Sequence, residues 1–94
     1  MSRVIDKIDV ICQHSADGDI IPLRFRLMDE NGNLETYNIR GYKNLSHTGV
    51  YTTPDGIMVT NNITVFECLV VILDYQKHVR LYFDRDICKW RLAI

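Results

Sequence analysis

Four side chains in this sequence are of the types that bind zinc. Cys12 and His14 stand two residues apart, so on an extended strand they would point to the same side. Cys68 and Cys88 lie far along the chain and would complete a site of three cysteines and one histidine. Zinc domains usually present closely spaced ligand pairs, however, and no C-x₂-C pair occurs here. The pattern therefore favours free cysteines acting as small apolar residues, with Cys12 and Cys88 facing inward, and no metal or other cofactor.

Groups suited to covalent or acid–base catalysis are equally sparse. The pairs His14–Ser15 and Ser46–His47 contain the residue types of a base and a nucleophile. Neighbours in sequence do not form a catalytic triad, because the triad is built from spatial geometry. The glycines form neither a nucleotide-binding motif nor a nucleophile elbow. We therefore expect no catalytic residues and a protein that is not an enzyme.

Two strand faces carry basic side chains of the kind that bind single-stranded nucleic acid. Arg24 and Arg26 share a face of one predicted strand, and Arg80 and Tyr82 share a face of another. Small β-barrels use such faces to contact phosphates and to stack bases. Eleven Lys and Arg residues are balanced by twelve Asp and Glu residues, and a net charge of −1 gives no long-range attraction for a polyanion. Nucleic-acid binding is therefore the alternative function, ranked after protein binding.

An irregular segment at residues 41–62 is the predicted partner-binding surface. It is rich in Gly, Asn and Pro, and Pro54-Asp55-Gly56 predicts the turn of a short hairpin. Irregular segments on a rigid scaffold often carry recognition, and Tyr and Met are enriched in interface cores. The candidate contact residues are Tyr42, Leu45, Tyr51, Ile57 and Met58. These apolar side chains could instead fold over the domain and complete its core, an alternative that the sequence leaves open.

The elements that must position these residues are β-strands. Apolar and polar residues alternate in six runs separated by turn residues, which is the pattern of antiparallel sheets. The predicted strands cover residues 7–14, 20–28, 34–40, 63–73, 78–83 and 87–94, and the hairpin at 50–60 is additional. The strand at 63–73 is apolar at both parities, so we expect both of its faces to be covered.

The alternation also predicts which side chains form the core. They are Ile8, Val10, Leu23, Phe25, Leu27, Ile39, Phe66, Val70, Ile72, Leu81, Phe83, Trp90 and Leu92. Short antiparallel strands with little or no helix are best satisfied by a closed or curled arrangement, which protects the strand edges. The expected fold is all-β, a small antiparallel β-barrel or strongly curled sheet of six to eight strands.

Length and composition limit the class of protein. A chain of 94 residues with 47% hydrophobic and 24% charged residues fits one globular domain over residues 1–94 and is not typical of disorder. The apolar run 65–73 includes Glu67 and is too short to span a bilayer, while Asp6 and Lys7 interrupt any signal peptide. Three cysteines, an odd number, indicate reduced thiols. We expect a cytoplasmic protein with no membrane contact.

Short motifs at the two ends of the chain and in its centre form a further pattern. They are Ile8-Asp9-Val10-Ile11, His14, Asp17-Gly18, Pro22-Leu23-Arg24-Phe25-Arg26, Asp29-Glu30, Phe66, Cys68, Tyr82, Cys88-Lys89-Trp90 and Leu92. This pattern resembles a family of small, uncharacterised Firmicute proteins. The resemblance implies a compact bacterial β domain and no particular mechanism. Residues 41–62 form a longer segment here than is usual in that family.

These observations together predict a non-enzymatic, intracellular protein-interaction module. Its partner is another protein or a second copy of the same chain, because exposed strand edges pair readily with other strands. The first alternative is a single-stranded nucleic-acid-binding barrel that uses the arginine faces. The second is an enzyme of unrecognised type, which would need a pocket with converging polar groups.

Overall fold

A computed structural model describes residues 3–45 and 50–94, and in these ranges the chain forms strands and turns without a helix. The strands are β1 (Val4–Ile5), β2 (Asp9–His14), β3 (Ile20–Met28), β4 (Leu34–Asn44), β5 (Tyr51–Thr52), β6 (Met58–Val59), β7 (Ile63–Ile72), β8 (Tyr75–Asp84) and β9 (Lys89–Ala93). The all-β prediction is confirmed. The six predicted main strands correspond to β2, β3, β4, β7, β8 and β9.

Seven of the strands form one antiparallel sheet in the order β1-β9-β8-β7-β4-β3-β2. The sheet curls into a half-barrel, which confirms the predicted strongly curled sheet. β1 and β2 are the two edges of this sheet, although only residues 6–8 separate them in sequence. An extended connection of that length spans at most about 14 Å from Ile5 to Asp9. The end of β1 and the start of β2 therefore lie close together, and we call the gap between these two edge strands the seam.

The interior of the half-barrel holds the main core. Its buried members come from the four strands β3, β7, β8 and β9 and are Phe25, Phe66, Cys68, Val70, Val79, Leu81, Trp90 and Leu92. The rings of Phe66 and Phe83 lie 6.0 Å and 4.8 Å from that of Trp90, between ring centroids. Burial of such large aromatic groups is a major source of stability in a domain of this size. Residues on β1 and β2, near the seam, are only partly buried against this core.

A second, smaller core lies on the opposite face of β7, β8 and β9. The strands β5 and β6 form a separate two-stranded hairpin that covers this face. The buried members of the second core are Ile57, Val59, Val65, Tyr82 and Ala93. Because Val65 and Phe66 are both buried, β7 is covered on both faces, as its sequence predicts.

A β-bulge corrects one predicted core residue. In the pairing of β2 with β3, Ile11 faces Arg24 but Cys12 faces Pro22, so Leu23 is the extra residue. The bulge inverts the alternation, and Pro22 is buried while Leu23 is 39% exposed. The prediction of Leu23 in the core is therefore wrong. Pro22 occupies the bulge because it has no N–H group to contribute to a regular ladder.

Cys88 is a second correction. The prediction placed it on the inward face of the last strand, but it is exposed and lies in the turn before β9. Its backbone φ is 53°, in the left-handed region that closes this turn. The alternation of exposed and buried side chains in the last strand therefore starts only at Lys89.

The turn between β7 and β8 is tighter than the sequence pattern indicates. Residues 74–77 are predicted as the turn, but Ile72 already pairs with Tyr75, so only Leu73 and Asp74 connect the strands. Both have positive φ, 50° and 65°, as two-residue hairpin turns of type I′ require. Leucine is poorly suited to this conformation because its Cβ crowds the backbone. The Leu73 side chain is 87% exposed, so no packing interaction of its own offsets that strain.

We expect Leu73→Asn to stabilise the domain by about 1 kcal/mol, since asparagine tolerates the left-handed conformation. For a domain of this size, that change corresponds to a rise of roughly 4–8 °C in melting temperature. Thermal unfolding followed by circular dichroism measures it. Ile87→Asn is the control, because Ile87 is also exposed (55%) but is not among the residues with positive φ. Equal shifts for the two variants would contradict the strain at Leu73.

Candidate functional site

The residues predicted to bind a partner do not form one surface. Ile57 is 6% exposed and lies in the second core, and Leu45 and Tyr51 pack partly buried against that core. Tyr42 and Met58 are exposed, at 46% and 62%. The Tyr42 ring contacts Phe66 of the main core edge-on, whereas Met58 belongs to the hairpin on the other face of the sheet. The structure therefore assigns Ile57 to the core and separates Tyr42 from Met58.

A buried polar cluster anchors the hairpin to the sheet. The Tyr82 hydroxyl donates to Asp55 Oδ2 at 2.5 Å and lies 2.8 Å from Thr53 Oγ1. Arg80 Nη1 also donates to Asp55 Oδ2, at 3.3 Å, and the Asp55 side chain is fully buried. Burial, together with the neighbouring Asp55 carboxylate, raises the pKa of Tyr82, so its phenol stays neutral and donates. These bonds hold the turn of the hairpin against β8.

The cluster occupies the side chains of Arg80 and Tyr82, which the sequence predicts as part of a nucleic-acid-binding face. Tyr82 is 2% exposed, so its ring has no surface on which a base could stack. The Arg80 guanidinium already binds Asp55. On β3, Arg24 and Arg26 are exposed as predicted, but Arg26 Nη2 forms an ion pair with Asp9 Oδ2 at 2.7 Å. Arg80, Tyr82 and Arg26 are therefore less available to bind a nucleic acid than the alternation of the sequence predicts.

The four zinc-type side chains are spread over the fold. Cys12 Sγ lies 3.9 Å from His14 Nε2, while Cys68 is buried in the main core and Cys88 is exposed in a turn. Among residues 3–45 and 50–94, no three His, Cys, Asp or Glu side chains are grouped so that they could hold a metal ion. The pair Ser46–His47 lies outside the described residues.

The candidate site is a cleft at the end of the half-barrel where the seam begins, between the end of β1 and the start of β2. This seam cleft has a volume of about 550 Å³. Its lining comes from β1 and the residue before it, the connection to β2, the start of β2, the end of β3, the start of β4, and β9 with the turn before it. The lining residues are Arg3, Ile5, Lys7, Ile8, Asp9, Arg26, Leu27, Met28, Leu34, Cys88, Lys89 and Trp90. The volume falls within the range of small ligand sites in proteins, about 300–1,000 Å³.

The seam cleft combines an apolar lining with basic side chains. Met28 and Leu34 are 61% and 52% exposed, although both are large apolar residues. Four basic side chains line the cleft, and the acidic residue among them, Asp9, is bound to Arg26. In the described ranges, no carboxylate forms an ion pair with the other three, Arg3, Lys7 and Lys89. The cleft is thus locally positive on a chain whose net charge is −1.

The free edge of β2 starts at this cleft, which Asp9 lines. β2 pairs with β3 on one side, and no described strand pairs with its other side. Ile11, near the middle of β2, is 49% exposed, and the inward-facing Val10 and Cys12 are only partly buried. An unpaired strand edge offers main-chain donors and acceptors to another strand. Sequence alternation predicted β2 but gave no signal that it would be an edge.

A second cleft of about 640 Å³ lies at the other end of β2, and it is more polar. Its lining includes Ser15, Asp19 and Arg85. Ser15 Oγ accepts a hydrogen bond from the Asp19 backbone, and Arg85 donates to the Asn61 carbonyl. Ser15 Oγ and the Arg85 guanidinium therefore already have partners within the fold.

Comparison with models of known protein families, with curated proteins and with solved structures gave no match. The resemblance to small Firmicute proteins therefore stays a prediction. The described part of the chain contains no helix of the length and apolarity needed to cross a bilayer.

The three cysteines provide a test of the fold around the seam. Burial raises the pKa of Cys12, and burial together with Glu67 raises that of Cys68 to about 12. Because the thiolate is the reactive form, we expect iodoacetamide at about pH 8 to modify Cys88 first, Cys12 more slowly and Cys68 last. Peptide mass spectrometry measures the order. In denaturant the three rates should converge, and rapid modification of Cys68 in the folded chain would contradict its placement.

The polar anchor is tested by Tyr82→Phe. Removal of the hydroxyl takes away the shorter of the two hydrogen bonds to the buried Asp55 Oδ2 and leaves that of Arg80. We therefore expect the free energy of unfolding to fall by about 1–3 kcal/mol in urea denaturation. Tyr75→Phe is the control, since Tyr75 is 76% exposed. A Tyr82→Phe variant as stable as the parent would contradict the anchor.

The same substitution should alter the pH dependence of stability. The pKa of Tyr82 is raised above its ordinary value of 10.0 in the folded chain, so above that pH the unfolded chain loses its proton first. The stabilisation is complete below pH 10.0 and declines as the pH rises further. We expect this part of the decline to be absent in the Phe variant.

Proposed function

We propose that this domain is a non-enzymatic protein-interaction module of the bacterial cytoplasm, which binds an extended segment of a partner protein along the free edge of β2. The observation that carries the proposal is the strand order, which leaves β2 unpaired on one side within the described residues. Addition of a strand to such an edge is a recurrent mode of peptide recognition, in which main-chain hydrogen bonds supply affinity.

The surroundings of β2 support the same mode. Val10 and Cys12 face the interior but are only partly buried, so an added strand would cover them further. Each additional square ångström of apolar surface removed from water contributes about 25 cal/mol. The hairpin at 51–59, by contrast, already covers the outer face of β7, β8 and β9. The edge of β2 is thus the place where an added strand would bury apolar side chains that the fold leaves partly exposed.

The cytoplasmic assignment is supported by the state of the cysteines. All three are free, and Cys88 is exposed. Exposed free thiols persist in reducing compartments and are readily oxidised elsewhere.

Two copies of the chain could also pair through their β2 strands, because a twofold axis normal to the sheet would continue the sheet with antiparallel pairing. Sedimentation over a range of chain concentrations measures this form of association.

The proposed function is tested by selection from a display library of random peptides about ten residues long, the upper length of common strands. We expect the selected peptides to bind the parent chain and to bind Ile11→Lys at least tenfold more weakly, because a charged side chain on an edge discourages strand pairing. Leu73→Lys, at another exposed apolar position, should leave binding unchanged.

Two results would overturn the proposed function. One is peptide binding that is equal in the Ile11→Lys and parent chains. The other is tighter binding of a fluorescent oligothymidine than of any selected peptide, with loss of binding in Arg24→Ala and a steep salt dependence. That second result would instead establish the single-stranded nucleic-acid function.

A further inference from the structure

We infer that the seam cleft selects an acidic segment, in which alternating apolar residues are followed by Asp or Glu toward the C-terminal end. The inference rests on the proposed strand addition at β2 and specifies the chemistry of the partner. It is derived from three features of the seam: its unpaired cations, its apolar lining and the direction of β2.

The charges of the cleft favour an anionic ligand. Arg3, Lys7 and Lys89 line it and are exposed, and no described carboxylate forms an ion pair with any of them. Three like charges around one cleft raise the local concentration of anions and speed their association. A carboxylate placed among them would gain charge-assisted hydrogen bonds without displacing an existing partner.

The apolar lining distinguishes a peptide from a nucleic acid. Ile5, Ile8 and Leu27 line the cleft as partly buried residues, with the exposed Met28 and Leu34 beside them. Aliphatic side chains suit apolar residues of a peptide, whereas single-stranded nucleic acids need exposed aromatic rings for stacking. Trp90 is the aromatic residue in this lining, and it is 8% exposed and packed against Phe66 and Phe83.

The direction of β2 fixes the order of residues in the segment. The cleft lies at the start of β2, where Asp9 contributes to its lining. Every pair of neighbouring strands among the described residues is antiparallel, and antiparallel pairing is slightly the more stable arrangement. A strand added antiparallel to β2 places its C-terminal half beside Asp9. The acidic residues therefore follow the apolar ones.

Three fluorescein-labelled peptides of about ten residues test this inference on the full chain. The first has alternating valine and threonine followed by three glutamates, the second has the same residues in reverse order, and the third has lysines in place of the glutamates. We expect the first to bind most tightly in fluorescence anisotropy, with affinity that falls as salt is added. It should also slow alkylation of Cys88, which lines the cleft.

Charge variants of the chain test which lysines contribute to binding of the acidic peptide. The double variant Lys7→Gln with Lys89→Gln should bind the acidic peptide about five- to tenfold more weakly, as expected for two exposed ion pairs. Lys77→Gln removes another exposed charge, from β8 outside the cleft, and should leave affinity unchanged. Because all three lysines are exposed, we expect each variant to fold, which circular dichroism checks.

The outcomes separate this inference from the proposed function. Equal binding of the three peptides, with Ile11→Lys still weakening all of them, would overturn the acidic selection and leave strand addition intact. Displacement of the acidic peptide by a small excess of oligothymidine would overturn it in favour of nucleic acid. Dimerisation that Ile11→Lys abolishes, in a chain that does not bind the acidic peptide, would assign the seam to a second copy and overturn it as well.

Discussion

The short connection between β1 and β2 constrains the whole fold. These strands are the two edges of a seven-stranded sheet, yet only residues 6–8 join them. A flat sheet with six strand spacings would separate its edges by about 29 Å, whereas the connection spans at most about 14 Å. The sheet must therefore curl. The curl encloses the main core, and since β1 has only two residues, it leaves a seam along most of β2.

A second constraint acts on the outer face of β7, β8 and β9. The side chains of Val65 and Tyr82 on this face would be exposed without the hairpin that covers them. A domain of this size buries a modest fraction of its surface, so an additional small core matters for its stability. Asp55 is bound there by Tyr82 and Arg80, which gives the cover a defined position through charge-assisted bonds. Much of the apolar character of residues 41–62 thus serves the core.

The seam combines apolar side chains that are incompletely buried with basic side chains that lack an ion pair within the described residues. The sheet buries Val10 and Cys12 incompletely there, because no strand follows β2 on its outer side within the described chain. The adjoining cleft carries three basic side chains, Arg3, Lys7 and Lys89, that form no ion pair with a described carboxylate. Strand addition by a chain with acidic residues would relieve both at once, which is why the proposed function and the proposed partner chemistry refer to the same place.

The sequence by itself determined the strands and most of the main core, because period-two alternation and turn residues are local signals. It missed the bulge at Leu23, the left-handed turn residue Cys88 and the tight turn at Leu73, because each depends on how one strand pairs with another. It grouped Arg80 with Tyr82 on one face but could not show that a hairpin would cover that face. Lys7, Met28, Leu34 and Lys89 form one cleft only because the curl brings distant strands together. The position of the candidate site therefore depends on the order of the strands in the sheet, which only the tertiary structure decides.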